Sequence, residues 1–119
     1  MHEMSIVMRL ADIAMDYARR NNAKRISRVV VQVGELTGAV PRYLSMFYPA
    51  VAEGTLLEGS ELVVETIAAS VFCTDCGSTY NPTRTPEMKC PECGGESCDT
   101  IEGKSMFVKE IAIEEGDAS

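Results

Sequence analysis

The run Glu61-Leu-Val-Val-Glu-Thr-Ile-Ala-Ala-Ser-Val-Phe72 leads straight into Cys73-Thr-Asp-Cys76-Gly77. Leu62, Val64 and Thr66 alternate with Val63, Glu65 and Ile67, the period of two that marks a β-strand. A second cysteine pair, Cys90-Pro-Glu-Cys93-Gly94, follows after thirteen residues. Beyond it another alternating run, Met106 to Glu114, sets Phe107, Lys109, Ile111 and Ile113 against Met106, Val108, Glu110 and Ala112. Two long strands around a cysteine-bearing segment make that segment the tip of an extended antiparallel hairpin. Its turns at Asn81-Pro82 and Thr85-Pro86 leave little that could form a core, so a metal must hold the tip together.

Working outward toward the amino terminus, Ile6, Leu10, Ile13 and Tyr17, with Val7, Ala11, Ala14 and Ala18 beside them, recur at helical spacing from Met4 to about Ala23. Asn21-Asn22 is where such a helix would end. Arg28 to Leu36 reads as a strand with Val29, Val31 and Val33 on one face, Val30 and Gln32 on the other, and Gly34 as a bulge near its end. A second helix is expected from Pro41 to Ala52, with Pro41 in its first turn, Leu44, Phe47 and Val51 as its apolar stripe, and a kink at Pro49. Glu53-Gly54 and Glu58-Gly59-Ser60 are turn signals.

The order helix, strand, helix, strand, cysteine segment, strand predicts an α+β fold. It would comprise a three-stranded sheet with two helices on one face and a small metal domain at the tip of the long hairpin. Residues 1–72 and 104–115 would make the α/β domain, 73–103 the zinc domain, and 116–119 an acidic tail.

In each Cys-x-x-Cys pair the two-residue gap lets both sulfurs reach one ion within a tight turn, and the glycine after the second cysteine relieves crowding where backbone amides turn toward sulfur. Cys73, Cys76, Cys90 and Cys93 are therefore expected to hold one tetrahedral zinc ion in the closed, structural form that leaves no position for water. Paired Cys-x-x-Cys-Gly segments also resemble rubredoxin, but the short spacer and the absence of Trp argue against an electron-transfer core. Cys98, five residues past Cys93, reads as a thiol outside the site whose replacement by Ser leaves zinc content unchanged.

The single histidine is residue 2. With Met1 retained, as the bulk of His2 favours, the Met1 amine, the His2 amide nitrogen and the His2 imidazole Nδ1 close adjacent five- and six-membered chelate rings on one ion. The Glu3 amide would complete four nitrogens in a plane. Ni²⁺ and Cu²⁺ favour such sets, and Zn²⁺ does not. The Glu3 carboxylate would add an axial oxygen or simply begin the helix, where it suits the dipole.

Composition narrows the rest. The 119 residues carry a formal charge of −7, which repels phosphate backbones. The rival reading, a zinc-ribbon nucleic-acid or protein-interaction module, finds only Arg84 and Lys89 between the knuckles against Glu87, Glu92 and Glu96 in and around them. With 45% apolar residues, no Trp and seven aromatics, a modest core is possible and a large aromatic ligand pocket is not expected. No segment has membrane-spanning length, no signal peptide is evident, and cysteines arranged as metal ligands suit a reducing compartment, the cytoplasm. An enzyme is not expected: beyond position 2 there is no histidine to act as base, and there is no Gly-x-Ser-x-Gly and no phosphate loop.

Met1-His2-Glu3-Met4-Ser5, Val33-Gly34-Glu35-Leu36, Glu53-Gly54-Thr55, Glu58-Gly59-Ser60-Glu61-Leu62 and the two knuckles together resemble the HypA family of hydrogenase nickel-incorporation proteins. The resemblance spans nearly the whole chain in order. It implies a nickel metallochaperone that supplies Ni²⁺ to the large subunit of a [NiFe]-hydrogenase, working with the GTPase HypB and in some organisms serving urease and its accessory proteins. It implies nickel on Met1, His2 and Glu3, and zinc on Cys73, Cys76, Cys90 and Cys93. A monomer or weak homodimer is expected. Some family members place histidines close to the zinc cysteines; this chain has none there, so exchange of zinc ligands through imidazole is not expected.

Overall fold

A computed structural model of the protein describes residues 3–115. The expected Met1 and His2 nickel ligands and the tail 116–119 lie outside them. The regular elements are α1 (Glu3–Arg20), β1 (Ala23–Gly34), α2 (Pro41–Ala52), β2 (Glu61–Ile67), β3 (Ser70–Cys73), β4 (Thr79–Tyr80), β5 (Cys98–Glu102) and β6 (Met106–Glu115). They form two three-stranded sheets, ordered β2-β1-β6 and β4-β3-β5. The class is α+β, as the element order predicts. Two compact units result: one from the chain up to Gln32, Ala39–Glu65 and the chain from Phe107; the other from Val33–Gly38 and Thr66–Met106. The expected zinc segment 73–103 lies inside the second unit, which also takes in Val33–Gly38 and the residues from Thr66 to Phe72.

In the first unit, α1 buries Val7, Leu10, Ala11, Ala14 and Ala18. Ile13 and Tyr17, expected in the apolar stripe, are exposed. The buried face is instead the flank of small residues, which lets a helix backbone come close to its neighbours; α1 and α2 pack on each other. The helix stops at the expected asparagines: Asn21 Nδ2 donates to the Tyr17 carbonyl at 2.8 Å, and Asn22 takes a left-handed φ of 53°. In α2, Pro41 stands in the first turn, but the deepest positions are Leu44, Tyr48 and Ala52 rather than Leu44, Phe47 and Val51. Tyr48 can go inside because its hydroxyl pairs with Ser60 Oγ at 2.6 Å. The helix also runs on through Pro49 to Ala52.

Strand β1 begins at Ala23, five residues before the expected Arg28. Lys24, Arg25 and Ser27 hide it in the sequence, yet they belong to a paired strand in which Lys24 and Arg25 are exposed and Ser27 is half-buried. Arg25 meets Glu114 at 3.1 Å and Arg28 meets Glu110 at 2.9 Å, while Ser27 Oγ donates to the Ala112 carbonyl. Farther along, Ile26, Val29, Val30 and Val31 are buried, so β1 is the central strand. That settles the hairpin differently from the expectation. β2 and β6 are not neighbours, because the most apolar strand lies between them.

The long run 61–72 is likewise two strands, broken at Ala68-Ala69, where the chain leaves one sheet for the other. The Ala69 amide donates to Glu35 Oε1 at 2.7 Å instead of to a neighbouring strand. Nothing local in Ala-Ala announces such a break. In the second unit β3 pairs antiparallel with both β4 and β5, and the β3–β5 ladder is the true hairpin around the cysteines. β5 was not expected as a strand, since all five of its residues are exposed and four of them are polar or small. Gly34 closes β1 with φ −72° and ψ 144°, and its role is close approach: a Cβ there would lie 2.2 Å from the Gly103 carbonyl carbon.

Candidate metal centre

Strand β3 delivers Cys73 to the start of a tight turn. The Gly77 amide donates to the Cys73 carbonyl at 2.9 Å, and the Cys73 amide donates to the Ser78 carbonyl at 2.8 Å. The second pair repeats the pattern, Gly94 to the Cys90 carbonyl at 2.9 Å and Cys90 to the Gly95 carbonyl at 3.0 Å. Both closing residues are left-handed, Gly77 at φ 81° and Gly94 at φ 73°. This is why glycine follows each second cysteine, since a side chain at that φ would be strained.

The two turns bring four sulfurs together, all within 4.8 Å of one another. Cys73 Sγ and Cys93 Sγ are 3.6 Å apart, as are those of Cys76 and Cys90. A tetrahedron of metal–sulfur bonds near 2.3 Å has edges of about 3.8 Å, so the cluster matches one zinc ion. Cys73 and Cys90 are buried, Cys76 and Cys93 exposed. The inner pair packs with Val71 and Tyr80, and Leu36 lies against that group.

Electrostatics argue for a cation in the same place. The hydroxyl and amide of Ser78 pull the Cys76 thiol down to about 6. At Cys93 the Gly95 amide favours the thiolate, but the surrounding sulfurs of Cys73, Cys76 and Cys90, with burial, push it up to about 12. One sulfur ionises readily and the crowd resists further negative charge. A divalent ion removes that conflict.

Sequence reasoning singled out the four cysteines that the structure brings together and missed part of their frame. Glu35 Oε1 accepts from the Ala69 amide at 2.7 Å and from Asn81 Nδ2 at 2.8 Å. Its carboxyl lies below the usual range because of those two bonds, helped by attraction to Arg84. The Leu36 amide donates to the Gly103 carbonyl at 2.8 Å. Val33-Gly34-Glu35-Leu36 is therefore a strut of the metal-bearing unit; its available signal was an acidic residue placed directly after a strand-ending glycine.

Of the expected nickel set only Glu3 lies among the described residues. It opens α1, its side chain is buried, and Oε2 accepts from the Val40 amide at 3.1 Å. Val40 is the N-cap of α2, so the Glu3 carboxylate suits the positive end of a second helix besides its own. The nucleic-acid alternative weakens further: Lys89 Nζ is held by Glu87 at 2.8 Å and Glu96 at 3.4 Å. Among the described residues no helix is long and apolar enough to cross a membrane.

Comparison with known proteins agrees with this arrangement. The family model described as hydrogenase/urease nickel incorporation, metallochaperone, hypA matches residues 1–113. The hydrogenase maturation factor HypA of Chlorobium limicola is 43% identical over 117 residues, covering 98% of this chain and all of that one. Its counterpart from Aquifex aeolicus is 40% identical over 114 residues, covering 96% and 98%. The solution structure of the Ni metallochaperone HypA from Helicobacter pylori shares the fold, with a TM-score of 0.70 at 23% identity over 98% of this chain and 100% of that one. With its motifs, its fold and its four-sulfur centre in agreement, the chain belongs to the HypA family of hydrogenase/urease nickel-incorporation metallochaperones.

Proposed function

We propose that the chain carries Ni²⁺ on the Met1 amine, the amide and imidazole of His2 and the amide of Glu3, and releases it to the large subunit of a [NiFe]-hydrogenase. The observation that carries this reading is the closure of the other metal site. Four like thiolates around one ion leave no open position for exchange, so Cys73, Cys76, Cys90 and Cys93 would hold a resident zinc that fixes the fold of their unit. Cargo must then sit elsewhere, and the only imidazole in the chain is at residue 2.

A planar nitrogen set leaves both axial faces open, so acceptor ligands can attach before the donor nitrogens let go. The Glu3 carboxylate, engaged with the Val40 amide, serves as an anchor for the start of α1, and its amide supplies the nitrogen. The chain offers no phosphate-binding loop, which suits collaboration with a HypB-type GTPase in the cytoplasm. Urease, through its accessory proteins, is a second client that the family description supports.

Titration of untagged protein with nickel across pH tests the site. Affinity is expected to fall as pH falls, because binding displaces protons from amine, imidazole and amide. His2→Ala, or a single residue fused before Met1, should weaken nickel binding by at least about tenfold while leaving zinc content unchanged. Undiminished nickel affinity in both variants would sink the assignment.

A further inference from the structure

Cys98 stands outside the four-sulfur cluster, yet β5 sets it directly across from Cys73 in the antiparallel ladder with β3. The Thr74 amide donates to the Ser97 carbonyl at 3.1 Å, while the Cys73 amide turns the other way, to Ser78. Those bonds make Cys73 and Cys98 a non-hydrogen-bonded pair, the kind in which Cα atoms lie about 4.5 Å apart and side chains come closest. A disulfide spans Cα separations of about 4.4–6.8 Å, so this register can accept one. Access differs between the two thiols: Cys73 is fully buried and Cys98 is exposed.

A second observation falls at the same place. The Tyr80 hydroxyl is buried with no hydrogen-bond partner among the described residues. Tyr80 stands opposite Val71 on one side of β3 and Cys98 opposite Cys73 on the other, two residues along, so both side chains belong to the same face of the sheet. A buried O–H on the face that carries the thiol is a donor available to an oxygen carried on that sulfur.

We propose that Cys98 is an oxidation site for hydrogen peroxide, and that its oxidation joins it to Cys73 and dismantles the metal centre. The Cys98 thiolate attacks one peroxide oxygen; the O–O bond breaks, Cys98 becomes a sulfenic acid, and the departing hydroxide takes up the thiol's proton as water. The Cys73 sulfur then attacks the Cys98 sulfur, the S–O bond breaks, and the second oxygen leaves as water. The Cys98 thiol and the Cys73 thiolate have together lost two electrons, the Cys98 proton and one proton from solvent have gone to the two oxygens, and peroxide has become two waters. Cys73 is withdrawn, and three thiolates remain where four were needed. The inference rests on the reading of Cys73, Cys76, Cys90 and Cys93 as the zinc ligands.

Full-length protein and Cys98→Ser are compared for zinc content at rest, then for zinc released to a chromogenic chelator under peroxide, with disulfides mapped by peptide mass spectrometry. Both proteins should start with one zinc. Peroxide should free it from the wild type together with a Cys73–Cys98 linked peptide, and dithiothreitol with added zinc should restore it. Release from Cys98→Ser should be roughly tenfold slower, because its exposed cysteines, Cys76 and Cys93, are engaged by zinc and the free exposed thiol that reacts first is gone. Equal release from the two proteins, or disulfides confined to the four ligands, would overturn the proposal. Absence of zinc from both resting proteins would instead overturn the reading of the cysteine site.

Discussion

The first unit buries Val7, Leu10, Ile26, Val29, Val31, Leu44 and Leu57 completely, drawing them from both helices, a strand and a turn. The second buries Val33, Ala69, Val71, Tyr80 and two cysteines, with Leu36 half-buried against them. At about 1.5–3 kcal/mol for each large apolar side chain, the first list can sustain a folded unit. The second is too short for its length of chain. The difference teaches where the metal is needed: sulfur coordination stands in for a core the second unit does not have, as in small metal-stapled folds.

Removing the metal should separate the two units most sharply. Binding of structural zinc by four thiolates is worth about 10–16 kcal/mol near neutral pH, more than the whole stability of a typical domain. A chelator, or Cys73→Ala, should abolish amide protection throughout β3, β4 and β5 while leaving α1 and β1 protected. Hydrogen exchange followed residue by residue checks this, and uniform loss of protection in both units would break the comparison.

The reverse experiment cuts into the apolar unit. Leu44→Ala removes a fully buried side chain and should cost about 2–5 kcal/mol in urea unfolding. Zinc stoichiometry should stay at one. Loss of zinc in this variant would show that the metal-bearing unit depends on the apolar core.

The smallest effect sharpens the account of the strut. Glu35 is held below its ordinary value of 4.5, first by the Ala69 amide and then by Asn81. Its contribution is therefore fully present above that ordinary value and fades as pH falls through the depressed one. Glu35→Gln should be modestly less stable than wild type at pH 7, and the gap should close in acid. A gap that stays constant down to the acid limit would show that charge has no part in the strut.

Much of the metal site was legible because its determinants are local. Two residues between cysteines and a glycine after each pair dictate a turn that aims both sulfurs at one point, whatever surrounds it. Helix α1 was legible as a helix from its periodicity, but not the face it buries, because Ile13 and Tyr17 are as apolar as the alanines that go inside. Which flank is covered depends on how closely its neighbours can approach. The strand β5 was hidden for a related reason: Cys98–Glu102 has an exposed, mostly polar composition and takes its conformation from the ladder with β3.

The amino-acid sequence by itself determined that this is an α+β chain with a four-cysteine centre and a lone histidine at residue 2, since spacing and residue chemistry act over a few bonds. Tertiary structure alone decided that β1 lies between β2 and β6, that the run 61–72 breaks at Ala68-Ala69, that Glu35 braces the metal-bearing unit, and that Cys98 faces Cys73. Each of these depends on hydrogen bonds or packing between residues far apart in the chain, and no local pattern encodes which of several compatible partners a backbone amide or an apolar face will find.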